Sequence, residues 1–444
     1  MGPSAAAARA KRALISVTSL LALVPAAHSQ TWTYGVDLGV GATDNVSLVP
    51  TDQIGQTMAT ADLDFALQQQ GPRLDTDLKG NFTYFNFLQH AYSGELLGRF
   101  DGLAHLALVP ERLTWALQDD FGKEQLNAFE APTPGNLENV NYLSTGPDLK
   151  LRLGSTGFLN LSGRYGGTQY QTSPFDNNRV FASLAWGLSL SARSSVSLDV
   201  NTEHVLFDNT SLNTDFDRSS GYVHYELHGA RTELVANLGA TELNQGSASR
   251  SGPLIALELM HRLTPAAKLT LKAGQELTDV STSFSALESG AMGAISIAPA
   301  ALTSNDYTST YASVGWDYER DRTTLALSAR SAKDTYDGQS SLDNSLRGGE
   351  LKFDRKVTRA LSAELLGSLY YTDYSHANYK AEDGLVGAAL ILREGRGLEF
   401  RLRYNRVSRV ATGIATGFRE NIAFLTIGYR PQQLLSGDLP GDGR

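Results

Sequence analysis

Apolar and polar residues alternate one for one along segments of about ten residues, from Trp32 to Tyr429, and this repetition limits the folds open to the chain. Trp32, Tyr34, Val36, Leu38 and Val40 share one parity, with Thr33, Gly35, Asp37 and Gly39 on the other. Leu398, Phe400, Leu402 and Tyr404 repeat the pattern near the far end, interleaved with Glu399, Arg401, Arg403 and Asn405. Successive side chains of a β-strand point to opposite faces, so every such run has one apolar and one wet side. Runs of this length and parity fit a closed sheet in a bilayer, apolar outside and polar within.

The first 29 residues read as an export signal and are set aside from the fold. Arg9, Lys11 and Arg12 form a basic start, Ala13 to Val24 an apolar stretch, and Ala27-His28-Ser29 a small-x-small cleavage site before Gln30. The apolar stretch falls short of the roughly 20 residues that a membrane-spanning helix needs. With no Cys there is neither a disulfide framework nor a lipid-attachment thiol. The formal net charge of −9 argues against a nucleic-acid partner, which requires a basic patch.

The expected layout is an export signal at 1–29, one all-β unit at 30–430 and a polar tail at 431–444. No Pro/Ser linker or shift in composition divides the middle segment. The fold class predicted is an all-β, transmembrane, antiparallel up-and-down barrel of about 20 strands (18–20), resident in the outer membrane and monomeric, with membrane lipid as its surroundings. Connections support it. Tight ones are expected at 70–72, 109–112, 154–157, 192–194, 228–230, 265–267, 319–322, 355–358 and 394–396. Between them fall long polar ones at 44–57, 86–94, 122–138, 168–177, 206–216, 242–251, 279–307, 332–344, 374–383 and 406–419. Such alternation is the habit of barrels with short periplasmic turns and long outer loops. The loop at 279–307 is the longest and least polar, carrying Ala291 to Ala298; it folds inward as a constriction or plug, or lies over the mouth.

Aromatic residues are expected in two girdles at the membrane interfaces: Trp32, Tyr34, Phe82, Tyr84, Phe85, Trp186, Tyr222, Tyr225, Trp316, Tyr318, Tyr370, Tyr371, Phe400, Tyr404 and Tyr429. Lumen-parity charges are Asp62, Asp64, Asp75, Asp77, Lys79, Lys150, Arg152, Asp199, Glu203, Asp317, Glu350, Lys352, Arg401 and Arg403. Opposite charges on adjacent strands would form ladders. The resulting lumen is either a selective aqueous path or a polar core that holds a narrow barrel shut.

Catalytic, cofactor and metal sites are not expected. The D-x-D pairs Asp62/Asp64 and Asp75/Asp77 lack the Gly-rich loop of a calcium site, and the histidines have no zinc spacing. His105 and His224 fall on lumen parity, while His90 and His376 lie in loops. No G-x-S-x-G elbow is present. A rim hydrolase would need a loop histidine within hydrogen-bond reach of a Ser or Asp.

The stretch Gly39-Val40-Gly41-Ala42-Thr43-Asp44-Asn45-Val46-Ser47-Leu48, the turn Gln70-Gly71-Pro72-Arg73 and the strand Asn81-Phe82-Thr83-Tyr84-Phe85 resemble a group of proteobacterial β-barrel porins. The likeness is strongest to members associated with exosortase (PEP-CTERM) and exopolysaccharide loci. Tyr165, Phe175-Asp176-Asn177-Asn178 and Asp215-Phe216-Asp217-Arg218-Ser219 are similar to recurrent patterns of that group. The resemblance implies outer-membrane residence and a part in surface polysaccharide or protein export, as a non-conducting scaffold with polysaccharide-export or exosortase components as partners; the charged lumen, gated by the loop at 279–307, points instead to porin-like passage or guidance of polar solutes. The resemblance brings no catalytic residues. In one respect the chain departs from the common barrel ending, since Tyr429 is followed by Arg430, Pro431 and a polar tail. Either the last strand ends at Tyr429 with the tail in the periplasm, or that strand lies elsewhere. N-terminal sequencing of the envelope-localised chain is expected to begin at Gln30; an intact Met1 on the exported protein would defeat the signal reading.

Overall fold

In the computed structural model, residues 30–282, 306–395 and 397–431 are described, and they form a single closed β-barrel. The export segment, most of the long loop (283–305) and the tail from 432 lie outside the described residues. Twenty strands follow one another: β1 (Gln30–Thr43), β2 (Gln56–Gln70), β3 (Leu74–Phe87), β4 (Glu95–Val109), β5 (Leu113–Gln125), β6 (Leu137–Leu153), β7 (Gly157–Tyr170), β8 (Asn177–Ser191), β9 (Ser194–Phe207) and β10 (Phe216–His228). The second half comprises β11 (Thr232–Gln245), β12 (Ala248–Thr264), β13 (Ala267–Thr278), β14 (Tyr307–Arg320), β15 (Thr323–Tyr336), β16 (Asn344–Lys356), β17 (Leu361–Tyr374), β18 (Tyr379–Glu394), β19 (Leu398–Gly413) and β20 (Phe418–Tyr429). Each pairs antiparallel with its sequence neighbours, and β1 closes onto β20 from Val36↔Tyr429 to Thr43↔Ile422. Closure leaves no edge strand with unpaired backbone groups, the condition for a sheet to exist in hydrocarbon.

Residues directly opposite on paired strands share a face, so the register sorts inside from outside. Trp32↔Leu67, Val36↔Leu63 and Val36↔Tyr429 form one face, while Asp37↔Asp62 and Asp37↔Gly428 form the other. The first face carries the exposed apolar residues, among them Leu38, Leu238, Val386 and Leu425. It is the outer wall. Aromatic rings stack along it: Trp32 on Phe65 at 6.2 Å and Phe65 on Phe82 at 6.3 Å.

Expectations of two kinds, about loops and about aromatic residues, are corrected. The polar stretch 242–251 is strand rather than loop, since β11 and β12 run on to a two-residue turn at 246–247, with Gly246 at φ +59°. Left-handed backbone of this kind suits a tight hairpin. Strands of 12 to 17 residues exceed the 9–11 or so that a bilayer requires, so their outer ends are polar because they leave the lipid. For the same reason the loops expected at 122–138 and 406–419 shrink to 126–136 and 414–417. Phe85, Tyr222 and Tyr370 are not girdle residues. Phe85 opposes Thr60, Tyr222 opposes Asp199 and Tyr370 opposes Asp383, all inside, because adjacent residues such as Tyr84 and Phe85 cannot share a face.

β20 ends at Tyr429, but the chain does not simply hang free afterwards. The Arg430 backbone N–H donates to Gly397 O at 2.7 Å, and its guanidinium turns into the barrel. There it donates to Asp37 of β1 at 2.7 Å, Asp64 of β2 at 3.1 Å and Glu399 of β19 at 3.1 Å. One side chain thereby ties together strands on both sides of the closing seam. Gly35 makes room for it, since a Cβ there would lie 2.9 Å from Arg430 Cγ. Removing one partner from a buried charge cluster leaves the others uncompensated, so Arg430→Met is expected to cost about 3 kcal/mol. The check is a lower urea midpoint for unfolding of the heat-modifiable barrel band; an unchanged midpoint would refute the seam-clamp role.

Candidate functional site

Inward residues form two charged groups, and they differ in how completely their charges are matched. The first surrounds a cavity of about 350 Å³ within the lumen. Asp37, Thr60, Asp62, Asp64, Asn81 and Thr83 line it from β1 to β3, and Lys352, Glu364, Arg401 and Arg403 from β16, β17 and β19. Asp62 accepts a hydrogen bond from Thr83 at 2.5 Å, and Asp64 accepts one from Asn81. Arg401 pairs with Glu399 at 2.8 Å, whereas Arg403 meets Glu364 only at 4.0 Å.

Of the charges singled out in the sequence, Asp62, Asp64, Lys352, Arg401 and Arg403 are therefore brought together. The remainder lie elsewhere on the inner register. Lys79 pairs with Asp77 at 3.1 Å, Asp317 with Lys268 at 3.5 Å, and Asp75 stands opposite His105. Asp199 accepts from Ser197 at 2.6 Å, and Glu350 accepts from the Tyr370 hydroxyl. Lys150 opposes Asn160, while Arg152 sits 3.6 Å from Glu111 beside a tight turn, both exposed. Trp32, Tyr34, Phe82, Tyr84, Trp186, Trp316, Tyr318, Phe400 and Tyr404 occupy the outer register. Of these, Phe82 and Tyr404 stand in the middle of their strands rather than at an end.

The second group sits where the long loop begins, and Glu203 belongs to it. β12 stops pairing with β13 at Ile255↔Gln275, and the top of β13 then bends into the barrel. Leu277 packs inside against Val205, Phe216 and Leu243. Asp279, just beyond, reaches Arg179 of β8 at 2.6 Å and Arg218 of β10 at 3.1 Å. Both arginines also pair with Glu203 of β9, Arg179 at 3.1 Å. Thr282 donates to Asp279 at 2.7 Å and accepts from both guanidinium groups. Ser281 and the Tyr170 hydroxyl of β7 lie 3.1 Å apart. A strap at 279–282 thus crosses from β13 to β7–β10 and narrows the lumen. The loop's exit is held too, by Arg250 on Asp306 at 3.0 Å.

Two acids against two guanidinium groups make this cluster charge-balanced, as burial demands. Burial by itself would raise the Asp279 pKa, but Arg179 and Arg218 outweigh it and hold the carboxyl well below its usual range. The alternation of the sequence does not by itself single out Arg179, Arg218 or Asp279. The available signal was position: Arg179 and Arg218 lie on inner parity close to the outer ends of their strands, and Asp279 opens the longest loop.

His90 is exposed in a left-handed turn, and His376 is 3.6 Å from Asp343, beyond hydrogen-bond reach, whereas His204, near the outer end of β9, lies 2.6 Å from Asp217 of β10. Among the described residues no three His, Asp or Glu side chains gather as a metal site would need.

No family model matches this chain. No curated protein matches it either. Among solved structures it is similar to the siderophore receptor PirA from Pseudomonas aeruginosa, at 10% identity and a TM-score of 0.44, covering 91% of this chain and 81% of that one. It is also similar to the FrpB iron transporter from Neisseria meningitidis (9%, TM-score 0.42, covering 91% and 83%) and to Pseudomonas aeruginosa OpdK solved with vanillate (10%, TM-score 0.38, covering 90% and 98%).

The lowered Asp279 pKa gives the strap a defined acid response. Its anchoring is complete above the unfolded carboxylate value of about 3.9 and is lost only as pH falls through the lower folded value. Because the chain lacks cysteine, Ser281→Cys provides a single reporter. At pH 7 a thiol reagent is expected to label it at least about tenfold faster once Asp279→Asn is added. Equal labelling rates would show that Asp279 does not anchor the strap.

Proposed function

We propose that this chain is a monomeric outer-membrane barrel through which small polar solutes pass, steered by the lumen charges and narrowed by the strap at 279–282. The observation that carries this reading is the cavity where Asp62 and Asp64 share a space with Arg401, Arg403 and Lys352. Fixed charges on low-dielectric walls focus the field inside a passage and set which solutes enter. An inert polar core would gain most by pairing every such charge, as the Asp279 cluster does. Among the described residues, Arg403 instead meets a carboxylate only at 4.0 Å and Asp62 enters no ion pair.

The work is physical rather than covalent. The outer wall meets lipid, the closed sheet satisfies the backbone, and the inner wall replaces part of a solute's hydration shell.

Planar-bilayer recording of the purified full chain is expected to show discrete conductance steps. Asp62→Asn with Asp64→Asn, and Arg401→Gln with Arg403→Gln, should displace the reversal potential in a salt gradient in opposite directions. A folded, heat-modifiable barrel that never conducts would overturn this reading and favour the export scaffold that the resemblance implies.

A further inference from the structure

We infer that the lumen cavity is a binding subsite for small zwitterions whose two charges are several bonds apart, such as a short peptide or an ω-amino acid. The inference rests on the lumen being a solute path, and it goes further by naming the class of solute.

Each wall holds a charge that the protein leaves incompletely matched. Asp62 accepts from Thr83 and enters no ion pair among the described residues, while its neighbour Asp64 is shared between Asn81 and Arg430. Opposite, Arg403 has a carboxylate only at the 4.0 Å limit, and the buried Nε atoms of Arg401 and Arg403 have no acceptor among the described residues. A buried donor without a partner is costly, and a ligand that supplies acceptors relieves the cost.

The floor between these walls is low. From Arg401 the register runs through Thr426 and Gly39 to Thr60, a row without a large side chain, while the next row, from Arg403, carries the Phe424 ring over Gly41. β19 and β2 are three strand spacings apart, roughly 14 Å of backbone before the side chains reach inward. Phe85 and Phe424, whose rings lie 6.3 Å apart, give the trough an apolar flank for a methylene chain.

The charges select the ligand. A simple anion that gains at Arg403 is repelled by Asp62 and Asp64, and a simple cation meets the reverse. A zwitterion lying across the trough, ammonium toward Asp62 and Asp64 and carboxylate toward Arg403, is attracted at both ends. A neutral sugar can hydrogen-bond to both walls but neutralises neither. The cavity's volume falls in the range of small-molecule sites.

Isothermal titration calorimetry on the detergent-purified full chain tests this with ε-aminocaproate, diglycine, glycine, hexanoate, hexylammonium and glucose. ε-Aminocaproate and diglycine are expected to bind at least about tenfold more tightly than hexanoate, hexylammonium or glucose, with glycine weaker than either. Asp62→Asn and Arg403→Gln should each abolish that preference, and the exchanged pair Asp62→Arg with Arg403→Asp should restore it. Equal affinities across the wild-type series would overturn the proposal even if every variant misfolded, as would a preference surviving both substitutions in folded protein. Conductance recorded on the same preparations separates the two readings. A barrel that conducts without preferring zwitterions loses the subsite alone, whereas one that binds them and never conducts loses the path.

Discussion

Backbone hydrogen bonding in a medium without water is the constraint from which the rest of this structure follows. Every N–H and C=O of a lipid-embedded strand needs a protein partner, so the sheet must meet itself, and β1 pairs with β20 over Val36–Thr43. Once it closes, the two-residue period of each strand divides the chain between an apolar outer wall and an enclosed inner one. The inner wall then gathers charges contributed from distant parts of the sequence. Arg430 shows the consequence: a residue just past the last strand finds carboxylates on β1, β2 and β19, because closure has brought the ends of the chain together.

Charges enclosed in this way divide by how well they are matched. Around Asp279 two guanidinium groups and two carboxylates satisfy one another, with Thr282 bridging both kinds, and the result is an anchor that bends the start of the long loop into the lumen. Around the cavity, Arg403 meets Glu364 only at 4.0 Å, and Asp62 enters no ion pair among the described residues. Close matching makes a strut, and incomplete matching leaves charge that the proposed solute path would present to what passes.

Several features could be read directly from the alternation. A period of two, repeated with turns between, specifies strands and the face on which each residue lies; the sequence and the structure agree on an antiparallel barrel of twenty strands. The errors have a common cause. The stretch 242–251 is polar, and polarity reads as loop; yet β11 and β12 continue above the lipid, where a strand no longer needs an apolar side. Residue type suggests a girdle place for Phe85, Tyr222 and Tyr370, but parity puts them inside. Among the candidate site residues, parity distinguishes one face of a strand from the other, but it carries no distance across the lumen. It therefore set Asp62, Asp64, Arg401 and Arg403 beside Lys150 and Arg152 without separating the charges that share a cavity from those at an exposed turn.

The sequence by itself determined the strands, their faces and the need to close, because these depend on local periodicity and on the chemistry of lipid and water. Only the tertiary structure decided which charges meet. Asp279 joins Arg179, one hundred positions away, and Arg430 joins Asp37, nearly four hundred away, through the curvature of a sheet that wraps around to its own beginning. Ion pairing acts over a few ångströms, and sequence separation says nothing about ångströms until the barrel has closed.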